Sequence, residues 1–146
     1  MDTNSNRRAA AFRKTREAHQ TEVAEDYVEL IGDLIEEAGE ARLTDIADNM
    51  GVSQATASKI VARLRREGLV QSRPYRAIFL TEQGEAMARD SRRRHQIVYE
   101  FLRALGIDEA TANADSEGME HHVSGRTLDA LAALTRTLSK GDVASE

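Results

Sequence analysis

Two carboxylates and two imidazoles, Glu117, Glu120, His121 and His122, fall within six consecutive positions of the stretch EGMEHHVS, in a chain that contains no cysteine. On an α-helix, which turns about 100° per residue, Glu117, Glu120 and His121 share an arc of about 100° and His122 points away. Such a face is either a solvated, charged helix surface or part of a metal site. The absence of thiolates excludes disulfides, thiolate zinc sites and iron–sulfur ligation. Any metal must then be held by oxygen and nitrogen, which favours harder cations. A second reservoir of oxygen ligands lies upstream, because residues 21–40 hold eight carboxylates and no Lys or Arg. Asp26 and Glu29 share a helix face at i, i+3, although periodicity equally admits Glu22 or Asp33. His95 falls on the same face as Val98 and Leu102, so taken alone it reads as a core histidine.

Positioning these groups falls to a mostly helical frame. The chain has 146 residues, 40% of them hydrophobic and 31% charged, with nine Gly and one Pro. That composition fits one folded domain or two small ones and leaves little room for a deep substrate cleft. The longest purely apolar run is ALAAL, so neither a membrane span nor a signal peptide is expected, and the expected location is cytoplasmic. Residues 1–18 show no stable apolar period and read as a mobile basic arm, with helix admitted towards its end and nonspecific contact with DNA as a candidate role. From Val23 through Ile35 and Ala38 an amphipathic helix runs to near Gly39. A short helix over RLTDIADNM stops at Gly51, and Ser53 stands where an N-cap belongs for a third helix ending before Gly68. LVQSR and AIFLT then read as two short strands around Pro74, Tyr75 and Arg76. Thr81 can cap a long helix through Leu105, and Leu128, Leu131, Leu134 and Leu138 mark a final packing or dimer helix.

Helix, turn, helix and hairpin together describe a winged helix-turn-helix. Charge supports that reading: residues 41–80 carry seven basic and three acidic side chains in a chain of net charge −5. A helix about 10 to 12 Å across fits the major groove, while a basic hairpin reaches the flanking phosphates. The third helix buries Ala57, Ile60, Val61 and Leu64 against the core. Ser53, Gln54, Ala55, Thr56, Ser58 and Lys59 are then the candidates for reading bases, with Arg63, Arg73 and Arg76 for phosphate contact. The competing interpretation is a three-helix unit used only for protein contacts.

The winged helix, preceded by AEDYVELI and followed by RRRHQIVYEFLRALG and DSEGMEHHVS, resembles the diphtheria-toxin-repressor (DtxR) family of metal-dependent transcription regulators, and most of all its manganese-responsive branch. The similarity runs from about His19 to about Leu134. It implies a mainly α protein with a mobile arm over 1–18, a winged helix-turn-helix with a two-stranded wing over 19–88, and a helical metal-binding and dimerisation domain over 89–146. It also implies a homodimer on double-stranded operator DNA, acting as a repressor of manganese-uptake genes. The binuclear ligands of the family fall on Asp26, Glu29, His95, Glu117, Glu120 and His121, which would hold two Mn2+ per subunit, with Fe2+ as an alternative. His122 is structural on this reading. Iron-responsive relatives have Met in place of Asp26 and Cys in place of Glu117, and many carry an SH3-like C-terminal domain for which no residues remain here. Both departures imply manganese.

The implied mechanism is an ordering one. Converging carboxylates repel without metal, and two divalent cations cancel that charge and lock the DNA-binding head to the dimerisation domain, so that both heads can meet their half-sites. A small di-metal carboxylate enzyme is the rival from another class. Against it, no HExxH occurs, no Glu-x-x-His pair occurs near residues 117–122, and no organic ligand or catalytic residue is called for. A winged-helix sensor of an organic molecule would make the six-ligand set accidental.

Overall fold

A computed structural model describes residues 3–73 and 77–144 of the chain. They fall into two compact units, one within residues 1–89 and the other within residues 90–146. The N-terminal unit contains α1 (Thr3–Ala38), β1 (Ala41–Arg42), α2 (Leu43–Met50), α3 (Gln54–Arg66), β2 (Val70–Ser72), β3 (Ala77–Leu80) and the first turns of α4 (Glu82–Ala104). The C-terminal unit contains the rest of α4, then α5 (Glu109–Met119), a 3-10 turn (Glu120–His122) and α6 (Gly125–Ala144).

Helix α1 begins well before the amphipathic pattern does. Residues 3–18, read as an arm with helix only towards its end, are helical throughout and continuous with the amphipathic segment that follows. The stretch lacks Gly and Pro and is rich in Ala and Arg, which are good helix formers. Propagation from an already nucleated helix fixes one residue per hydrogen bond gained, so it needs no packed face of its own. Downstream, Ala24, Tyr27, Val28 and Ile31 are buried, with Val23, Leu30, Leu34 and Ile35 packed around them.

Against that face pack Ile46 and Ala47 of α2 and Ala57, Val61 and Leu64 of α3, while Ile60 is only half-buried. Full burial of a side chain such as Ile31, Ile46 or Leu64 contributes about 1.5–3 kcal/mol. The α2–α3 turn is set by Gly51, whose φ of 68° closes α2 as its C-cap. Ser53 opens α3, its Oγ accepting from the Thr56 N–H at 3.1 Å. The wing holds a strand that the sequence did not announce: the sheet has three antiparallel strands in the order β1-β3-β2. At two residues, β1 is too short to show a period of two. Pro74, Tyr75 and Arg76, expected from the sequence as the turn of the hairpin, lie outside the described residues.

Thr81 secures the next helix. Its Oγ1 accepts from the Gly84 N–H at 3.1 Å and donates to the Gly68 carbonyl at 2.6 Å. Gly84 is required by close approach, since a Cβ there would stand 2.0 Å from the Leu69 carbonyl oxygen. In the C-terminal unit, Val98, Leu102, Ala112 and Leu128 form a separate core, with Ile97, Tyr99, Phe101, Ile107, Val123 and Leu131 packed against it. Asp108 caps α5 by accepting from the Thr111 N–H at 3.0 Å, and that hydrogen bond holds its carboxyl below the usual carboxylate value. No helix among the described residues is long and apolar enough to cross a membrane.

Candidate metal centre and nucleic-acid interface

On α1 the acidic half of the helix is ordered into a line. At about 100° per residue, Glu22, Asp26, Glu29 and Asp33 fall within an arc of about 60°, because their spacings of four, three and four residues nearly complete whole turns. Asp26 and Glu29 therefore share a face, but Glu22 and Asp33 share it too, so spacing alone does not select between them. Asp26 is exposed and Glu29 half-buried. The neighbouring Glu25, one step round the helix, is buried at 8% exposure. A carboxylate is seldom left buried unless it is paired, hydrogen-bonded or bound to a metal.

In the C-terminal unit the geometry departs from the uniform helix assumed over residues 117–122. Glu117 ends up exposed on the last turn of α5, after which the chain tightens into the 3-10 turn carrying Glu120 and His121. A 3-10 turn rotates about 120° per residue, so the shared arc of about 100° expected for a continuous α-helix widens only to about 120°. Burial is what divides its members, leaving Glu117 outside a buried pair. The side chains of Glu120 and His121 are each only 2% exposed, with His121 Nε2 3.2 Å from Glu120 Oε1. Ser91 on α4, itself buried, donates its hydroxyl to the same Oε1 at 3.4 Å. Arg94, one turn further, donates to the Val123 carbonyl at 3.0 Å and ties the chain after the 3-10 turn to α4. His122 is exposed.

His95 lies on α4 one turn beyond Ser91, half-buried rather than in the core. Its Nε2 is 3.2 Å from Asn113 Oδ1, and its ring stacks on Tyr99 with centroids 6.4 Å apart and planes 7° from parallel. These contacts fix the ring's orientation. Spacing alone read His95 as a core histidine, and only the family resemblance made it a ligand; neither singled out Ser91, Arg94 or Asn113. The one signal that could have found Ser91 is its place four residues before His95, on the same face; Asn113 carried none.

On α3 the exposed residues Gln54, Ala55, Ser58, Lys59, Arg65 and Arg66 cover an arc of about 140°, its centre about 120° round the helix from that of the buried arc. Ser53 and Thr56 are exposed as well, but their hydroxyls bond each other at 3.0 Å within the cap. Arg63 lies at the edge of the outer face and turns inward, donating to the Gln20 carbonyl of α1 at 2.9 Å and pairing with Glu67 at 3.3 Å. Arg65, not singled out from the sequence, bonds the Ser72 hydroxyl and so fastens the wing to α3. Arg73 is exposed at the base of the wing, its guanidinium 4.6 Å from the centre of the Phe79 ring. Arg76 lies outside the described residues.

Comparison with known proteins matches both units. Residues 19–78 match the iron dependent repressor N-terminal DNA binding domain, and residues 81–141 match the iron dependent repressor metal binding and dimerisation domain. The chain belongs to the iron-dependent repressor family. The family's domains are those of DNA-binding transcriptional repressors, not of enzymes. Among similar family members, the transcriptional regulator MntR of Escherichia coli O157:H7 is 51% identical over 133 residues, covering 91% of this chain and 86% of that protein. The HTH-type transcriptional regulator MntR of Bacillus subtilis (strain 168) is 36% identical over 118 residues, covering 81% of this chain and 83% of that one. A solved manganese-dependent transcriptional repressor in complex with manganese superposes with a TM-score of 0.69 at 31% identity, covering 77% of this chain. The solved manganese regulator SloR superposes with a TM-score of 0.69 at 28% identity, again over 77% of this chain. This chain spans about half the length of those two solved chains, 52% and 53% respectively.

Proposed function

We propose that this family member is a manganese-dependent transcriptional regulator that binds operator DNA as a homodimer in the cytoplasm and represses manganese-uptake genes. The observation that carries the reading is the buried Glu120–His121 pair, at 3.2 Å, inside a domain of the metal-binding and dimerisation type. A buried carboxylate beside a buried imidazole is a costly arrangement that a cation bound by oxygen and nitrogen would repay. The donors fit such an ion, since the chain offers no thiolate and the acidic face of α1 supplies further carboxylates.

Asp26, Glu29, His95, Glu117, Glu120 and His121 are the proposed ligands for two Mn2+ per subunit. Four carboxylates among six ligands suit a hard cation and allow bridging. Bound divalent cations supply positive charge that offsets the mutual repulsion of these carboxylates. Ser91 and Arg94 hold Glu120 and the 3-10 turn in place, and Asn113 and Tyr99 orient His95. Asp26 and Glu29, on the helix at the heart of the DNA-binding core, would pass the ordering on to α3. In that helix Gln54, Ala55, Ser58 and Lys59 would read bases, with Ser53 and Thr56 at its capped end. Arg73 and Arg76 would contact phosphate, while Arg63 would act mainly by fixing α3 to α1. The names of similar proteins support the reading: transcriptional regulators MntR at up to 54% identity support the role, and a manganese-dependent transcriptional repressor at 31% identity supports the metal.

Metal titration of the purified chain tests the ligand set. Two Mn2+ per subunit are expected, with binding reduced at least tenfold in Glu120→Ala and His121→Ala. Saturation well below two, or unaltered binding in both variants, would remove the binuclear site from this assignment.

A further inference from the structure

The N-terminal half of α1 plays no part in the functions assigned so far. Every residue from Thr3 to Glu17 is exposed, including Phe12 at 66%. Five cations, Arg7, Arg8, Arg13, Lys14 and Arg16, share that segment with one carboxylate, Glu17. At about 100° per residue the cations are spread around the whole circumference, so whichever side meets a polyanion offers it positive charge. A helix without a packed face is marginal by itself, and like charges crowded along it weaken it further. The segment thus lacks both an apolar face and counter-charge, and a polyanion alongside would supply the second.

Its placement says which polyanion. No Gly or Pro interrupts the helix before Gly32, so the basic segment continues the part of α1 that is packed into the N-terminal core. The hydrogen bond from Arg63 to the Gln20 carbonyl sets the point where α1 leaves that core beside α3. From Gln20 back to Thr3 the helix extends about 25 Å, at 1.5 Å per residue. That is a large part of one turn of B-DNA, about 34 Å. We propose that residues 3–17 form a basic helical arm that lies against the phosphate backbone of DNA flanking the half-site contacted by α3. The proposal rests on the reading of α3 as the DNA-facing helix. Such contacts carry no base information, so the arm adds affinity and salt dependence without changing which sequence is preferred.

The test uses the full chain saturated with Mn2+ and a fluorescent operator duplex with long flanks, titrated by anisotropy over a KCl series. The parent is compared with a Gln variant, R7Q/R8Q/R13Q/K14Q/R16Q, and with a Lys variant, R7K/R8K/R13K/R16K. Each lost phosphate contact lowers the slope of log K against log salt by about 0.9. The Gln variant should lose about two units of slope or more and bind about tenfold more weakly at low salt, with its operator-to-random ratio unchanged. The Lys variant should keep the parental slope. A Gln variant with the parental slope overturns the proposal, and so does one whose slope is parental but whose oligomeric state has changed, because the arm would then serve a second copy of the chain. The parent's own titration reports the proposed function separately, since operator binding that ignored Mn2+ would count against that function whatever the arm does.

Discussion

At the scale of single residues, the proposed ligand set makes Asp26 the position to test for choice of cation, because the resemblance places Met there in iron-responsive relatives. Affinity cannot select manganese, since Mn2+ lies at the weak end of the Irving–Williams order and Zn2+ outcompetes it at most oxygen and nitrogen sites. Geometry must then select it. Zn2+ is satisfied by about four ligands and can bind without drawing every carboxylate into place. In anaerobic DNA-binding titrations, Mn2+ should activate fully and Zn2+ poorly, and Asp26→Met should move the response towards Fe2+. An unaltered order in that variant would place selectivity elsewhere. The adjacent Tyr27 shows a different residue-level effect. Its hydroxyl is buried, finds no hydrogen-bond partner among the described residues, and has its pKa raised by that burial above the ordinary 10.0. A group whose pKa is higher folded than unfolded contributes stability that is complete below the unfolded value and lost as pH rises through the folded one. The urea midpoint should therefore fall above about pH 10 in the parent, and Tyr27→Phe should remove that part of the fall. Below it, the variant should be neutral or up to about 1 kcal/mol more stable, having no buried hydroxyl to leave unsatisfied.

Among the elements, the junction of wing and α4 is the least tolerant. A Cβ at Gly84 would meet backbone, the Leu69 carbonyl, which cannot move aside as a flexible side chain could. Gly84→Ala should cost about 3 kcal/mol, the upper part of the overpacking range, and a thermal melt indistinguishable from the parent's would contradict the close approach. Helix α3 makes the opposite prediction. Lys59 is exposed on the outer face, so Lys59→Ala should leave stability unchanged and cost about 1–3 kcal/mol of operator binding, with less effect on random DNA. An unchanged operator-to-random ratio would mean that another face of the helix reads the bases. These elements differ in how plainly the sequence announces them. The α2 and α3 helices are written in local signals, Gly51 as a cap in the left-handed region and Ser53 as an N-cap. The helical state of residues 3–18 is not, because apolar periodicity detects packing, and this segment is exposed from Thr3 to Glu17 while its helix propagates from downstream. Strand β1 is shorter than any period. The 3-10 turn at Glu120 hides for a related reason: a helix that changes pitch after Met119 looks the same in sequence as one that does not. Glu117, Glu120 and His121 could still be singled out by type and spacing, but only the family resemblance takes His95 out of the core and separates Asp26 and Glu29 from Glu22 and Asp33, which share their stripe.

On the scale of the whole molecule, one chain joins a DNA-binding domain to a metal-binding and dimerisation domain. The account links them by making metal ligation a condition for DNA binding. The charge pattern fits a division of labour: eight carboxylates over residues 21–40 for the cation, and basic residues on the arm, α3 and the wing for the phosphates. The two functions are then separable by substitution, since Lys59→Ala should spare metal binding and Glu120→Ala should spare the fold of the N-terminal unit, whose core does not include Glu120. The most direct test is an anisotropy titration of the full chain on its promoter DNA, with Mn2+ and with chelator, in the parent and in Glu120→Ala. The parent should bind at least about a hundredfold more tightly with Mn2+, within the range of allosteric couplings, and Glu120→Ala should bind as weakly with Mn2+ as the parent does with chelator. Equal affinity with Mn2+ and with chelator, or a Glu120→Ala protein that responds to Mn2+ as the parent does, would contradict it.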